Sequence, residues 1–282
     1  MICIIDSGST KADWTFTDGK RKIHFNTPGM NPYFIKETEI MKLIKKGISG
    51  IAFDSITKVY FFGAGCSGKL QIGIIKRAFE KIFTKAKIFA SHDILGAVLA
   101  TCGDKKGISC IIGTGSNSVF FDGKKIRENN YGLGYVLGDE GAGTYLGKKL
   151  ITHFLYDLLP VKLAESFNKK YKLKRDDVIE SVYKKPGANT WLASFVPFLS
   201  DHIDNFWVRN TVRYGFDEFV TLFVMNYPEY KKVPVHFVGS ISFQFEDLLK
   251  EVLNNYNIKA GKIIQKPIEG LTEYYIRKEF KK

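Results

Sequence analysis

Ile2-Cys3-Ile4-Ile5-Asp6-Ser7-Gly8-Ser9-Thr10-Lys11 opens the chain, and Ser109-Cys110-Ile111-Ile112-Gly113-Thr114-Gly115-Ser116-Asn117-Ser118 repeats its form later on. In each stretch an apolar strand ends in small residues that let backbone N–H groups approach an anion, with the hydroxyls of Ser9, Thr10, Thr114 and Ser116 beside them. The chain then turns back as a second strand, over 12–16 and 117–121, and Asp18-Gly19 and Asp122-Gly123 are hairpin signals. Two such hairpins are built to hold one polyphosphate.

Outward from these stretches, strands are expected near 2–6, 12–17 and 21–26, a Pro/Gly loop over 27–32, and a helix near 33–47. A strand at 57–63, a helix near 69–83 and a short strand at 86–90 follow. Ser91-His92-Asp93 then opens a helix of small residues, and Gly103 to Gly107 reads as a linker. From Ile108 the order begins again with strands near 108–113, 117–121 and 124–127, which points to a duplicated architecture. A glycine-rich loop from Asn129 to Gly138 leads through Asp139-Glu140-Gly141 into several helices. Trp191, Phe195, Phe198, Phe206 and Trp207 are expected to pack a core there. A strand over 233–238 ends at Gly239-Ser240-Ile241, and a helix near 243–255, a strand at 260–265 and a terminal helix from Pro267 complete the chain.

The chain has 282 residues, 45% of them hydrophobic, enough for one large or two medium lobes. Asp6 interrupts the first apolar run too early for a signal-peptide core, and no apolar run reaches the length of a membrane span, so a cytoplasmic protein with no membrane partner is expected. Cys3, Cys66, Cys102 and Cys110 form no CxxC pair, which disfavours disulfides and zinc. The net charge of +13 comes mostly from dispersed pairs such as Lys45-Lys46 and Lys231-Lys232. Dispersed pairs make a solvated surface and not a nucleic-acid groove, although the positive field can attract anionic nucleotides.

Residues 63–70, Gly-Ala-Gly-Cys-Ser-Gly-Lys-Leu, match both GxxxxGK and GxGxxG between a strand and a helix. A P-loop, however, needs Ser or Thr after the lysine to reach Mg²⁺, and Leu70 stands there. A dinucleotide fold wants the glycines after its first strand and an acid about 20 residues on, and neither condition is met. Asp6 directly follows an apolar strand, where a carboxylate is costly unless a cation or water meets it, so a place near hydrated Mg²⁺ is expected. Asp93, at the start of a helix, is a helix cap or a general base for a hydroxyl, and one residue can do both. Asp139 is likewise a cap or a ligand for sugar hydroxyls.

Together, Asp6-Ser-Gly-Ser-Thr-Lys, Gly63-Ala-Gly-Cys, the Asp93 helix, Gly113-Thr-Gly-Ser-Asn, Gly132-Leu-Gly-Tyr-Val-Leu-Gly-Asp-Glu-Gly and Val238-Gly-Ser resemble the N-acetylglucosamine kinase branch of the BadF/BadG/BcrA/BcrD ATPase family. That family lies in the actin, sugar kinase and heat-shock chaperone superfamily, and the match runs along nearly the whole chain. The resemblance implies an α/β fold of two ribonuclease-H-like lobes with mixed five-stranded sheets flanked by helices and an ATP cleft between them. The lobes would be 1–103, with the terminal helix of about 267–282 packing back on it, and 104–266. It implies ATP and Mg²⁺, the metal reached from Asp6 through water, and an amino-sugar acceptor phosphorylated at O6. Asp6, Gly8, Ser9, Thr10 and Lys11 would form the first phosphate loop, and Thr114, Gly115 and Ser116 the second, with Gly239 and Ser240 by the adenosine. Asp93 would be the base. Asn31, Ser116, Asn117, Gly132, Gly134 and Asp139 would line the sugar pocket, and a homodimer is compatible with the resemblance. Leu133 departs from the mammalian tryptophan, so the apolar wall of the pocket differs.

Two rival readings remain at this point. The other branch of the family contains ATPases that hold an iron–sulfur cluster through cysteines, for which Cys102 and Cys110 lack ligand spacing. A non-catalytic sugar sensor would keep the fold but has no need of both Asp6 and Asp93.

Overall fold

A computed structural model describes every residue except Ser9, Asn130 and Lys282. The chain divides into two compact units, Met1–Asp104 with Lys266–Lys282, and Lys105–Gln265.

In the first unit β1 (Ile2–Ser7), β2 (Lys11–Thr17) and β3 (Lys22–Pro28) form an antiparallel meander, and β4 (Lys58–Gly63) and β5 (Lys87–His92) add in parallel, giving the order β3-β2-β1-β4-β5. Helices α1 (Glu37–Gly47) and α2 (Lys69–Glu80) pack together, and α3 (Asp93–Thr101) packs on the terminal helix (Ile268–Phe280). Central β1 is therefore covered on both faces, which is why it reads as a continuous apolar run. Trp14, Phe16, Phe61, Phe79 and Phe83 fill the core. The terminal helix is fixed by Tyr275, which stacks on Tyr60 with ring centroids 3.7 Å apart, and by Glu279, which accepts the Tyr60 hydroxyl at 2.5 Å.

The second unit repeats this plan with β6 (Gly107–Ile112), β7 (Ser116–Phe121), β8 (Ile126–Glu128), β9 (Val235–Val238) and β10 (Ala260–Ile264) in the order β10-β9-β6-β7-β8. β6 pairs antiparallel with β7 and parallel with β9, as β1 pairs with β2 and β4. β1 and β6 even share one burial pattern, buried throughout except at the fifth residue, Asp6 in one and Ile111 in the other. Each unit is thus a ribonuclease-H-like mixed five-stranded sheet flanked by helices. The helices of the second unit are α4 (Gly134–Leu137), α5 (Gly143–Leu155), α6 (Val161–Tyr171), α7 (Arg175–Ile179), α8 (Ala188–Ala193), α9 (Val196–Asp201), α10 (Phe206–Phe219), α11 (Ser240–Gln244) and α12 (Glu246–Asn255). Phe198, Phe216, Phe219, Phe223 and Phe237 anchor their core.

Four expectations need correction. The fifth strand of the first unit runs to His92 and not to residue 90, because β4 extends to Gly63 and its parallel ladder takes Ser91 and His92 as partners of Phe62 and Gly63. The first helix starts at Glu37 and not near 33, because the Asn31 carbonyl and side chain accept the N–H groups of Tyr33, Phe34 and Ile35 in a separate turn. The glycine-rich loop contains the single turn of α4. Phe206 is no core residue: it is 82% exposed at the start of α10, while Phe195 and Phe198 are buried and Trp191 and Trp207 sit at the core edge.

Helix α5 owes its close approach to α8 to Gly147, where a Cβ would lie 2.0 Å from the Leu192 carbonyl oxygen. Gly147→Ala should lower unfolding free energy by about 1–3 kcal/mol in urea titrations, whereas Phe206→Ser should stay within about 0.5 kcal/mol of wild type. A neutral Gly147→Ala would contradict this packing.

Candidate active site

The expected site residues of the first unit gather where its parallel strands end. Asp6 is the penultimate residue of β1, Gly63 closes β4, and Asp93 follows directly on β5. In open α/β sheets ligands bind outside these carboxyl ends, because the backbone leaves the ladder there and polar groups become available. The end of β1 also organises its surroundings. Ser7 Oγ accepts the Met30 N–H at 2.9 Å and the Ser7 carbonyl accepts the Ala64 N–H at 2.8 Å, so the loops carrying Asn31 and Gly65 are both tied to it. Gly65 has φ +79°, and a Cβ there would lie 2.2 Å from Asn31 Oδ1, so the 63–66 turn is a glycine turn seated on Asn31.

The first loop closes by a Gly8 N–H donated to the Lys11 carbonyl at 2.9 Å, and the Thr10 carbonyl accepts from Gly29 at 3.0 Å. Gly8, Thr10 and Lys11 are exposed. Ser9, assigned to the same loop from sequence, lies outside the described residues. Asp93 is the first residue of α3 and not its cap: His92 occupies the capping position, and the Asp93 carboxylate accepts the adjacent Ile94 N–H at 2.9 Å. Capping therefore does not account for this carboxylate.

Asp6 stands directly opposite Asp13 in the β1–β2 register, with both side chains on one face of the sheet. Burial, then the neighbouring Asp93 and Asp13 carboxylates, push the Asp6 carboxyl up to about 8, against the pull of Lys266. Lys266 is held by Asp13 at 3.0 Å. Burial also raises Asp93, partly offset by His92 and the Ile94 N–H. These are carboxyls whose charge lacks full compensation within the chain, the usual mark of a group awaiting a ligand.

In the second unit the loop after β6 is gripped from behind. Gly113 N–H donates to the Gly115 carbonyl at 2.9 Å, and the carbonyls of Gly113 and Thr114 accept the N–H groups of Gly143 and Thr144 at 2.9 and 3.0 Å, at the start of α5. Asp139, 9% exposed, accepts the Ser116 N–H at 3.0 Å and the Thr144 hydroxyl at 3.4 Å. A Cβ on Gly115 would lie 2.9 Å from both Asp139 oxygens, so the loop passes only as glycine. Asp139 thus caps no helix; it ties β7 to α5. Ser116 Oγ is buried without a hydrogen-bond partner, alone in this among the described side chains. A buried hydroxyl without a partner in the chain calls for one from outside it, water or a ligand's polar group. Gly132 lies beside Asn117, whose carboxamide would be 3.7 Å from a Cβ there, while Gly134, with φ +73°, is exposed and has no neighbour at that range among described residues.

Beyond Thr114 opens a cavity of about 460 Å³ lined by Gly113, Thr114, Val196, Ser200, Ser240 and Gln244, among others. Gly239, at φ +134°, brings α11 so near β6 that a Cβ would lie 2.2 Å from the Ile112 carbonyl oxygen. The residues of α8 and α9 in this wall were missed from sequence, where the aromatic stretch around them signals only core. The polar pair Ser200-Asp201 at the end of an apolar helix was the available clue. A larger cavity, about 780 Å³, lies between α5 and α10 around Tyr145, Phe206 and Tyr214 and contains none of the expected site residues. Among the described residues no group of His, Cys, Asp and Glu forms a metal cluster, no helix is long and apolar enough to cross a membrane, and all four cysteines are buried and outside any disulfide.

The raised carboxyls set a pH dependence. An acid that holds its proton more tightly when folded contributes stability that is full below its unfolded value of 3.8 and is lost as pH rises, for Asp6 through about 8. In metal- and nucleotide-free protein, the melting temperature should therefore drop from pH 5 to pH 9 by less in Asp6→Asn than in wild type. Parallel drops would refute the charge strain at Asp6.

No family model and no curated protein matches the chain. Among solved structures, it is similar to a protein of Porphyromonas gingivalis described as a "Putative N-acetylglucosamine Kinase", with 39% identity and a TM-score of 0.93, covering 98% of this chain and 99% of that one. A protein of Chromobacterium violaceum with the same description shares the fold at 14% identity and a TM-score of 0.70, covering 97% and 99%. A ROK family glucokinase from Streptomyces griseus, solved with glucose and AMPPNP, shares it at 13% identity and a TM-score of 0.55, covering 96% and 98%. With two sheets of one topology, polar loops at equivalent strand ends and a relative of this identity over its full length, the chain belongs to the N-acetylglucosamine kinase branch of the BadF/BadG/BcrA/BcrD ATPase family, within the actin, sugar kinase and heat-shock chaperone superfamily.

Proposed function

We propose that the protein is an ATP-dependent sugar kinase that phosphorylates an amino sugar, N-acetylglucosamine at O6 being the first choice. The observation that carries this reading is Asp93: a carboxyl at the end of a parallel strand, raised by burial, next to Asp6, and not used as a helix cap. A base of that kind is suited to a hydroxyl nucleophile. The description of the 39%-identical relative supports the choice of sugar.

In this reading Gly8, Thr10 and Lys11 of the first loop, and Thr114 and Gly115 of the second, take phosphate oxygens of ATP, while Gly239 and Ser240 lie beside the adenosine. Asn31, Ser116, Asn117, Gly132, Gly134 and Asp139 face the sugar, and the orphaned Ser116 hydroxyl gains a partner there. The exposed Leu133 supplies an aliphatic wall where an aromatic one would stack on the sugar. The acceptor hydroxyl gives its proton to the Asp93 carboxylate as its oxygen bonds to the γ-phosphorus, and the bond from that phosphorus to the ADP oxygen breaks. Asp6 fits Mg²⁺, which favours one or two carboxylates together with water and substrate phosphates, and the ion would neutralise phosphate charge. Four buried cysteines outside any disulfide and dependence on ATP fit a cytoplasmic setting.

Incubation with Mg-ATP and a mixture of amino sugars, followed by mass identification of the phosphorylated sugar, tests reaction and substrate together; no phosphosugar would reject the reading. Asp93→Asn should lower kcat by about 10²–10⁴-fold and leave ADP binding intact. Because Asp93 is raised, the acid limb of kcat/KM should fall above the ordinary carboxylate range, and near-normal turnover by the variant would remove Asp93 from the role of base.

A further inference from the structure

Helix α4 is a single turn without a buried side chain, and Leu133, Val136 and Leu137 stand exposed around it. Cavities of about 430 and 450 Å³ flank it, one beside Tyr135, Ile151 and Val182, the other beside Leu137, Glu140 and Leu222, and Lys148 lines both. Packing alone therefore fixes this turn weakly. The segment that carries it is tied to the unit at its two ends. Asn129 donates from Nδ2 to the Tyr227 hydroxyl at 2.8 Å and to the Ser118 carbonyl at 3.1 Å, and accepts the Tyr131 N–H at 3.0 Å. Asp139 holds the Ser116 N–H. Between these ends Lys148 reaches out from α5 and donates from Nζ to the Tyr135 carbonyl at 2.5 Å. The carbonyls of so short a helix lack a following turn to pair with, so a charged donor is worth most there. The ammonium is half-buried, and burial draws its proton affinity down against the pull of Asp139 and Glu140.

We propose that Lys148 is a positioning residue for the acceptor sugar: by holding the Tyr135 carbonyl it keeps α4, and with it the backbone of Gly132 and Gly134, in the shape that receives the sugar. The proposal rests on the kinase reading above. Both glycines are exposed, and Gly134 has φ +73°, so this stretch of backbone has little of its own to hold its shape. Released from Lys148, the turn spreads over positions above the flanking cavities, and the sugar meets the competent shape for only a fraction of the time. Its apparent affinity falls by that fraction. Once the sugar is bound, the reacting groups stand as before, so turnover at saturation is kept.

Lys148→Met keeps the aliphatic stem and removes the ammonium. In hydrogen exchange of the ligand-free full chain, a peptide spanning 132–138 should exchange about ten-fold or more faster in this variant than in wild type, with α5 unchanged. With Mg-ATP and N-acetylglucosamine, the KM for the sugar should rise about ten- to a hundred-fold, while kcat and the KM for ATP stay within about three-fold. Lys148→Arg should recover most of the loss, and Lys149→Met, at the exposed neighbour on α5, should leave the sugar KM unchanged. Lys148→Ala is read in the same way if the methionine variant does not fold. An unchanged sugar KM, an equal loss in kcat and ATP affinity, or failure of both variants to fold would overturn the proposal and leave the kinase reading standing. Absence of sugar phosphorylation by the wild type would instead strike at the kinase reading, and this proposal with it, while the exchange rates would still report whether Lys148 holds α4.

Discussion

An ionised carboxylate at the end of a strand buried on both faces is tolerable only if positive charge comes to meet it. Asp6 is in that position, at the one incompletely buried place of β1, with Asp13 opposite it and Asp93 also raising its proton affinity. Among the described residues Lys266 is the cation acting against this, and it is committed to Asp13. The chain therefore keeps charge strain in its first unit, which in the proposed reaction a cation escorting phosphate would relieve. Stability is given up there, as it often is at functional sites.

The second unit shows what the same strand does without that demand. Ile111 fills the place of Asp6, the loop after β6 is braced from behind by α5 and Asp139, and its polar surplus is a hydroxyl, Ser116 Oγ, rather than a charge. One architecture thus presents two kinds of polar group at its strand ends. In the first unit the end of the sheet holds acidic groups suited to metal and proton; in the second it offers neutral donors, and a slot that opens beside Thr114. The glycines enforce this division by contact: at Gly115 and Gly239 a side chain would collide with Asp139 or with the backbone of β6.

Much of this was legible in the sequence because it depends on strands. The runs Ile2-Cys3-Ile4-Ile5 and Ile108 to Ile112 announce buried central strands, and Asp18-Gly19 and Asp122-Gly123 mark turns whose glycines have φ near +95°. Asp18 and Asp122 accept paired backbone N–H groups in these turns. What escaped the sequence depends on partners distant along the chain. The length of β5 is set by β4, the late start of α1 by the turn that Asn31 caps, and the exposure of Phe206 by what α10 packs against, none of which local periodicity encodes. The slot between α9 and α11 was hidden for the same reason. Ser200 and Gln244 meet across a long interval of chain, and each alone reads as an ordinary polar residue on a helix.

The central claim is that the polar groups at these strand ends transfer phosphate to a sugar and do not merely hydrolyse or hold the nucleotide. ADP release from Mg-ATP, followed in the presence and absence of N-acetylglucosamine, tests it most directly. The account predicts ADP formation that depends on the sugar and matches the sugar phosphate formed mole for mole. Equal ADP release without any acceptor, or none with every amino sugar supplied, would contradict it.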